Sequence, residues 1–216
     1  MAKLDFYFSP GACSLNTHIC LEEAGAAFTP KVTYTRKGQT RTPEYLALNP
    51  KGKVPMLGID GKMLTENTAI VTYLNRTYPN AKLLPQGDAL KEAEAIAFIA
   101  WCAAGIHPVL GRFFGPQNFT DLPDSADNVK ALATKANAAN FAIIEKTLEG
   151  KDWVFGDWSA ADAYIFVFFN WATKLGLDVS AYPNYKKHFE RMQQRPAVQR
   201  AMAREAEALA AMDKAA

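Results

Sequence analysis

The fold of this chain is decided by residues 4–15, which read LDFYFSPGACSL. Leu4 to Phe8 is rich in aromatic and apolar side chains, a composition typical of a short β-strand. The Ser-Pro-Gly that follows breaks the strand. Residues 13–24 then place apolar groups at helical spacing, and Gly25 ends the helix. The stretch therefore predicts a strand that gives way directly to a helix.

The segments after this helix complete one small α/β domain. Phe28 to Tyr34 predicts a second strand, and a strand-helix-strand order makes the two strands parallel. Val54 to Ile59 predicts a third strand, and the Asp-Gly after it predicts a hairpin turn into a return strand over residues 62–64. A helical stripe then ends before Pro79. The order β-α-β followed by β-β-α is that of a thioredoxin-like domain.

The pattern changes at the linker 79–88, which is rich in Pro and Gly. Every later segment predicts helix, so the second half is a helical bundle. The expected fold is an α/β thioredoxin-like N-terminal domain, residues 1–80, plus an all-α C-terminal domain, residues 88–216. Ser159 with Asp162 three residues later predicts a capping box at one helix start.

Composition limits the classes of function. The 216 residues are 49% hydrophobic and 21% charged with a formal net charge of +2, which is typical of an ordered protein without a nucleic-acid or membrane-surface partner. Apolar runs such as 164–169 are too short to cross a bilayer. No long apolar segment follows the N-terminus, so a signal peptide is not expected. Three cysteines cannot all pair within one chain, which favours free thiols in the cytoplasm.

Cys13 lies where the first strand gives way to the first helix. Helix N-termini carry free backbone N–H groups and a partial positive charge. A thiolate at this place is stabilised, and the expectation is a pKa below the ordinary value of roughly 8.5. The alternative is a buried cysteine beside an ordinary capping serine, and both stay open on these residues alone.

Two further stretches favour ligand binding. In residues 49–55 (NPKGKVP) a proline enters a strand, and if the Val54–Pro55 bond is cis the Val54 backbone turns outward and is able to pair with an extended peptide. In residues 64–70 (LTENTAI) Glu66 and Asn67 fall at the first turn of a helix, where free N–H groups bind carboxylates. A plain loop and an ordinary capped helix are the alternatives.

Taken together, these stretches resemble the cytosolic glutathione transferases. The match is carried by Pro-Gly-Ala-Cys-Ser, Asn-Pro-Lys-Gly-x-Val-Pro and Leu-Thr-Glu-x-x-Ala-Ile, which look most like the bacterial beta class. Residues 156–162 are similar to the family's bundle-capping motif. The resemblance implies a homodimeric detoxification enzyme that conjugates the thiol of reduced glutathione to small hydrophobic electrophiles. Glutathione is then a co-substrate, with no metal, no other cofactor, and no nucleic acid or membrane as partner.

The resemblance also implies roles for individual residues. Cys13 lies beside the glutathione sulfur and is able to form a mixed disulfide with it, Ser14 donates a hydrogen bond to that sulfur, and His107 lines the active site. The implied glutathione-binding residues are Ala12, Lys37, Lys53, Val54, Pro55, Glu66 and Asn67. Arg36 is the alternative to Lys37. Pro108 stands where the family often has Lys, which removes one positive charge and predicts a kink.

Two other functions fit the same residues. A glutathione-dependent thiol reductase or peroxidase acts through a mixed disulfide at Cys13. The residues after it, Ser-Leu-Asn, do not form C-x-x-C, which argues against a dithiol exchanger. The second alternative is a non-catalytic protein that binds glutathione.

Overall fold

The computed structural model describes residues 2–214, which form two compact units. The first, here called the sheet unit, contains the chain up to Gln86 together with the chain from Gln193 onward. The second, the helical unit, is Gly87–Met192. Each unit is described by itself below.

The sheet unit is built on four short strands in the order β2-β1-β3-β4. Their bounds are Leu4–Phe8 for β1, Thr29–Val32 for β2, Met56–Ile59 for β3 and Lys62–Thr65 for β4. β1 pairs with β2 in parallel, while β3 is antiparallel to both β1 and β4. The predicted parallel pair and the predicted hairpin are therefore confirmed, and the sheet is thioredoxin-like.

Four α-helices accompany this sheet. They are α1 (Ser14–Glu23), α2 (Pro43–Leu48), α3 (Asn67–Thr77) and, from the end of the chain, α9 (Pro196–Lys214). α1 is buried along almost its whole length because it packs against β1, α3 and α9. It has no exposed face, so its sequence lacks the one-sided polarity of a surface helix.

Charged side chains join α1 to α9. Glu22 is buried and accepts a hydrogen bond from Arg200 Nε at 2.7 Å, and Arg204 Nε lies 3.2 Å from its other carboxylate oxygen. Glu23 accepts one from Arg195 Nε at 2.7 Å. A buried carboxylate requires such partners, since an unpaired buried charge is strongly unfavourable. The last helix is thus attached to the first by ion pairs as well as by apolar contacts.

The helical unit has five α-helices among its residues. Their bounds are Ala89–Trp101 for α4, His107–Phe114 for α5, Ala126–Thr147 for α6, Ala160–Lys174 for α7 and Pro183–Gln193 for α8. α7 is buried from Ala160 to Ala172, so it is the central helix of the bundle. The prediction of an all-helical second half is confirmed.

A π-helical turn, Cys102–Ile106, joins α4 to α5. Pro108 follows it, and this residue has no N–H to donate to the carbonyl four residues earlier. A π-turn widens the hydrogen-bonding step locally and is one of the known ways in which a helix absorbs such an interruption. The sequence predicted a kink at Pro108, and the structure has a π-helical turn just before this residue.

The predicted capping box at the start of α7 is confirmed. Asp162 is fully buried, and its carboxylate accepts hydrogen bonds from Ser159 N at 2.8 Å and Ser159 Oγ at 3.1 Å. It also accepts from Val154 N at 2.9 Å and lies 3.0 Å from His188 Nε2. One side chain therefore fixes the helix start, the loop before it and α8.

The predicted domain boundaries, 1–80 and 88–216, stay a prediction. The compact units divide the chain differently, because α9 packs against α1 and counts with the sheet unit. Local sequence patterns identify α9 as a helix but do not say which unit it joins.

The continuous helical stretch Ala89–Phe114 is long and apolar enough to cross a membrane by length and composition alone. Its mean hydropathy over the most apolar window is 1.6, and 28% of that window is buried. The prediction from apolar runs overlooked it, although residues 95–104 within this stretch form an uninterrupted apolar run longer than 164–169. Core and interface helices of water-soluble proteins share these properties, so we assign it no membrane role.

Candidate functional site

The loop between β1 and α1 is fixed by hydrogen bonds at both of its ends. Ser14 Oγ donates to the Ser9 carbonyl and accepts from Ser9 N, both at 3.2 Å, which closes the turn. Gly11 has a φ of +75°, a conformation that side chains disfavour, and its N–H donates to Glu205 Oε2 at 2.7 Å. Glu205 lies on α9 and is 5% exposed. The loop is therefore held in place by a helix from the far end of the chain.

Glu205 also faces His18 on α1. Its other carboxylate oxygen lies 3.5 Å from His18 Nδ1, and the histidine is completely buried. The ring centroid of His18 lies 5.0–5.7 Å from the ring centroids of Phe6, Phe8 and Phe28. Through Glu205, this polar pair contacts the loop that carries Cys13.

Cys13 precedes α1 as its N-cap residue. Its side chain is 8% exposed, and Sγ donates to the Val54 carbonyl oxygen at 3.4 Å. Burial raises the pKa of Cys13 to about 12, with smaller contributions from its own backbone and from the charge on Lys53, both of which lower it. The expectation of a lowered pKa is therefore wrong for this structure: desolvation outweighs the helix terminus, and the thiol stays protonated at neutral pH.

Val54 presents an open backbone edge beside this thiol. The Val54–Pro55 peptide bond is cis, as the family resemblance implied. The preceding Lys53 carbonyl is fixed from two sides, by Tyr45 Oη and by Asn49 Nδ2, both at 2.8 Å. Within residues 2–214, no acceptor pairs with the Val54 N–H. A ligand with a peptide backbone finds both a donor and an acceptor there.

The N-terminus of α3 is open as well. Glu66 precedes it with a φ of +77°, which non-glycine residues rarely adopt, and its side chain makes no capping bond. The N–H groups of Thr68 and Ala69 have no acceptor in the described part of the chain. Unpaired N–H groups at a helix start attract anions such as carboxylates.

Asn67 is a buried connection between α3 and α1. Its Oδ1 accepts from Thr17 Oγ1 at 2.8 Å and Asn16 Nδ2 at 3.3 Å, and its Nδ2 donates to the Cys13 carbonyl at 3.3 Å. The side chain therefore sets the distance between the two helix starts. Its predicted direct contact with the γ-glutamyl group stays a prediction.

Lys51 is a residue of this region that sequence reasoning did not select. Its ammonium group donates hydrogen bonds to Thr65 Oγ1 at 2.8 Å and to Glu66 Oε1. The pairing of Met56 with Thr65 brings the turn before β3 next to the end of β4. Only the register of the hairpin reveals this contact, which is why the linear sequence gave no signal for it.

The other predicted residues differ in how well they fit their roles. Ser14 is fully buried and its hydroxyl closes the Ser9 turn, so its hydrogen bond to a ligand sulfur stays a prediction. Ala12 packs beside Tyr45 and Val54. Lys37 Nζ donates to the Met212 carbonyl at 3.0 Å. The choice between Arg36 and Lys37 therefore stays open.

His107 belongs to the helical unit and is described there. Its ring centroid lies 5.2 Å from that of Trp171 and 6.4 Å from that of Phe168. Phe114 packs edge-on against Trp171 with the centroids 5.3 Å apart, and it is half exposed. The histidine is thus part of an aromatic group on α5 and α7.

Three features of the sheet unit therefore meet in one place: the Cys13 thiol, the backbone edge of Val54 and the start of α3. They are joined by the hydrogen bonds from Cys13 to Val54 and from Asn67 to Cys13. Together they offer a thiol that donates a hydrogen bond, a backbone segment that is able to pair with a peptide, and helix N–H groups that attract an anion. In residues 2–214, no three His, Cys, Asp or Glu side chains are grouped closely enough to hold a metal ion.

Comparison with known proteins agrees with this geometry. Residues 10–77 match the family description "Glutathione S-transferase, N-terminal domain", and residues 102–196 match "Glutathione S-transferase, C-terminal domain". The glutathione S-transferase GST-4.5 of Xanthomonas campestris pv. campestris is 34% identical over 190 residues, which is 88% of this chain and 92% of that protein.

Two solved structures show how far the similarity extends. The bacterial beta-class glutathione S-transferase of Sphingomonas chungbukensis superposes with a TM-score of 0.82 at 35% identity, over 93% of this chain and 98% of its own. A glutathione transferase homologue from Sulfitobacter, with bound glutathione, superposes with a TM-score of 0.87 at 30% identity, over 94% and 99%. The chain therefore belongs to the glutathione S-transferase family and within it is most like the bacterial beta class.

Proposed function

We propose that this protein catalyses the conjugation of reduced glutathione to small hydrophobic electrophiles. The observation that carries the proposal is the backbone of Val54, whose N–H has no acceptor in residues 2–214 and whose carbonyl faces the Cys13 thiol, beside the start of α3. In the reaction a sulfur–carbon bond forms, the leaving group departs from the electrophile with its electron pair, and the thiol proton passes to solvent. No redox partner is needed.

The tripeptide fits the open groups of the sheet unit in one direction. Its cysteinyl residue pairs with the N–H and carbonyl of Val54, which Pro55 holds at the edge. Its γ-glutamyl carboxylate lies at the start of α3, and its ammonium group faces Glu66. Lys53 and either Lys37 or Arg36 supply positive charge for the glycyl carboxylate, and Ala12 leaves room for the chain.

Cys13 then acts as a neutral hydrogen-bond donor. Its thiol stays protonated, since burial raises the pKa of Cys13 to about 12. In the free protein the S–H group donates to the Val54 carbonyl. When the glutathione backbone takes over that carbonyl, the S–H group becomes available to the glutathione sulfur and stabilises its thiolate. Ser14 is not part of this proposal, because its hydroxyl closes the Ser9 turn.

The helical unit carries the groups proposed to bind the electrophile. His107, Phe114 and Trp171 form an aromatic group in which Phe114 is half exposed. Such a surface suits a small apolar or aromatic electrophile, and His107 is its polar member.

A thiol reductase that attacks through Cys13 is the second candidate considered. Attack requires a thiolate, and its formation is strongly disfavoured at a buried thiol with a raised pKa. The other two cysteines, Cys20 and Cys102, are also buried, so neither is placed as an accessible resolving thiol. These observations favour conjugation over reduction.

The proposal includes a homodimer in the cytoplasm. Several apolar side chains of the helical unit are more than half exposed, with Leu90 at 69%, Leu132 at 61% and Ile143 at 53%. Apolar surface of this kind is commonly covered by a partner subunit. Sedimentation velocity at micromolar concentration tests the dimer, and a single monomeric boundary would contradict it.

The catalytic proposal is tested with glutathione, 1-chloro-2,4-dinitrobenzene and three forms of the protein. Wild type is expected to form the conjugate. Cys13→Ser keeps a donor and should retain most activity, whereas Cys13→Ala loses the donor. For Cys13→Ala we expect kcat/KM at pH 6.5 to fall about tenfold and its pH profile to shift upward by about one unit, the scale of one hydrogen bond to an anion.

Three results would count against the proposal. Wild type that binds glutathione without turnover indicates a binding protein. If wild type reduces disulfides but forms no conjugate, and Cys13→Ser abolishes the reduction, the protein is a thiol reductase. Equal pH profiles for Cys13→Ala and wild type would exclude the role of Cys13 as a hydrogen-bond donor but would leave the proposed conjugation standing.

A further inference from the structure

The pair formed by Lys51 and Glu66 points to a residue that selects the substrate. Lys51 Nζ contacts both Thr65 Oγ1 and Glu66 Oε1, and these two acceptors immediately precede the open start of α3. We propose that Lys51 is a specificity-determining residue that contacts the α-carboxylate of the γ-glutamyl group. This inference rests on the proposed function, since it assigns one more contact at the same site.

The pair is too exposed to be explained by stability. The side chain of Lys51 is 51% exposed and that of Glu66 is 63% exposed. Ion pairs in such positions contribute little to stability, because water screens the charges and two long side chains are immobilised. A role in ligand binding is a better explanation for two opposite charges held side by side at a site.

The position of the pair is set by the sheet. The β3–β4 hairpin pairs Met56 with Thr65, so the turn that holds Lys51 lies next to the residue that precedes α3. Glu66 has a backbone conformation with φ of +77° and does not cap its own helix. Its carboxylate is thereby left for Lys51 in the free protein and for another cation when a ligand is present.

An α-amino acid group carries an ammonium group and a carboxylate, so it offers each member of the Lys51–Glu66 pair a partner of opposite charge. Its ammonium group replaces Lys51 as the partner of Glu66, and its carboxylate lies between the Lys51 ammonium group and the free N–H groups of Thr68 and Ala69. Each charge then keeps an opposite partner, so no charge loses its compensation on binding. A ligand that has only one of the two charges leaves a protein charge without its partner.

The test uses three thiol tripeptides that differ in one group. They are glutathione, glutaryl-cysteinyl-glycine, which lacks the ammonium group, and 4-aminobutanoyl-cysteinyl-glycine, which lacks the α-carboxylate. Each is measured with wild type, Lys51→Met and Lys62→Met. Lys62 is an exposed lysine at the other end of β4, so its replacement makes the same change of charge away from the site.

We expect Lys51→Met to raise KM about fivefold for glutathione and for the glutaryl tripeptide, the scale of one half-exposed charge contact. KM for the aminobutanoyl tripeptide should stay within about twofold, because that ligand has no carboxylate for Lys51 to bind, and kcat for glutathione should not change. Lys62→Met should match wild type with all three ligands. Titration calorimetry with the same tripeptides gives the comparison without depending on turnover.

Two results would overturn the role of Lys51. One is an unchanged KM and Kd for glutathione in Lys51→Met. The other is an equal loss for glutathione and for the aminobutanoyl tripeptide, which means that the lysine only supports the loop. In both cases wild type still binds glutathione, so the proposed function stands. A wild-type protein that binds none of the three tripeptides removes the proposed function itself.

Discussion

Replacement of Asp162 by alanine is expected to destabilise the helical unit strongly. The carboxylate is fully buried and accepts hydrogen bonds from two backbone N–H groups and one hydroxyl, at 2.8–3.1 Å. It also lies 3.0 Å from Nε2 of the buried His188. Alanine removes all of these contacts and leaves buried donors without an acceptor.

The magnitude follows from the kind of contact that is lost. A hydrogen bond to a charged group contributes about 1.5–3 kcal/mol, and loss of a helix N-cap costs about 0.5–2 kcal/mol. Such contacts share one carboxylate and do not add fully, so we expect a loss of about 3–5 kcal/mol, as for removal of one partner from a buried ion pair. For a chain of this length that lowers Tm by about 10–15 °C.

Thermal and urea unfolding, followed by circular dichroism, measure the effect. Asp157→Ala is the matched control, because Asp157 is an exposed aspartate in the same loop. Asp162→Asn keeps one acceptor oxygen and loses the charge, so its Tm should lie between those of wild type and Asp162→Ala. A Tm for Asp162→Ala within about 1 °C of the Asp157→Ala control, which amounts to less than 1 kcal/mol, would refute the reasoning.

Three further outcomes are expected. In the absence of glutathione, Cys13 at pH 8 should react with iodoacetamide about 50-fold more slowly than an unhindered cysteine, because a pKa of about 12 leaves little thiolate even after the greater nucleophilicity of a basic thiolate is counted. Labelling of the folded protein at the rate of an unhindered cysteine, measured by mass spectrometry, would contradict this. Asn67→Ala should lower the free energy of unfolding by about 1–3 kcal/mol, because it removes the buried hydrogen bond to Thr17. It should also raise KM for glutathione. An unchanged urea midpoint together with an unchanged KM would show that the contact of Asn67 with α1 is dispensable. Tyr45→Phe should lower the free energy of unfolding by about 1 kcal/mol or less, because the Lys53 carbonyl keeps Asn49 Nδ2 as its second donor. A loss above about 2 kcal/mol in urea unfolding would contradict this.

The elements that the sequence predicted well depend on local patterns. The strand-to-helix change at residues 4–15, the Asp-Gly hairpin and the capping box at Ser159 each need only a few neighbouring residues. In these cases local conformational preference and the tertiary structure agree. The cis bond at Val54–Pro55 is different: the residues alone left a plain loop open, and the family resemblance implied the cis bond.

The features that the sequence did not predict depend on distant contacts or on burial. Glu205 contacts Gly11 from 194 positions away, and Lys51 contacts Glu66 through the register of a hairpin. The thiol of Cys13 lies at a helix start, which lowers a pKa, but its burial raises it by more. Local sequence gives the position of such a group and not its solvent exposure, so the sign of the shift was wrong.

The bond between Gly11 and Glu205 has a consequence for the order in which the protein is made. Glu205 is translated 194 residues after Gly11, so the nascent chain lacks this contact until residue 205 has left the ribosome. The loop that carries Cys13 gains this partner only when the segment that contains α9 has been translated. A premature stop before α9 therefore removes a partner of that loop although every residue from 1 to 192 is intact.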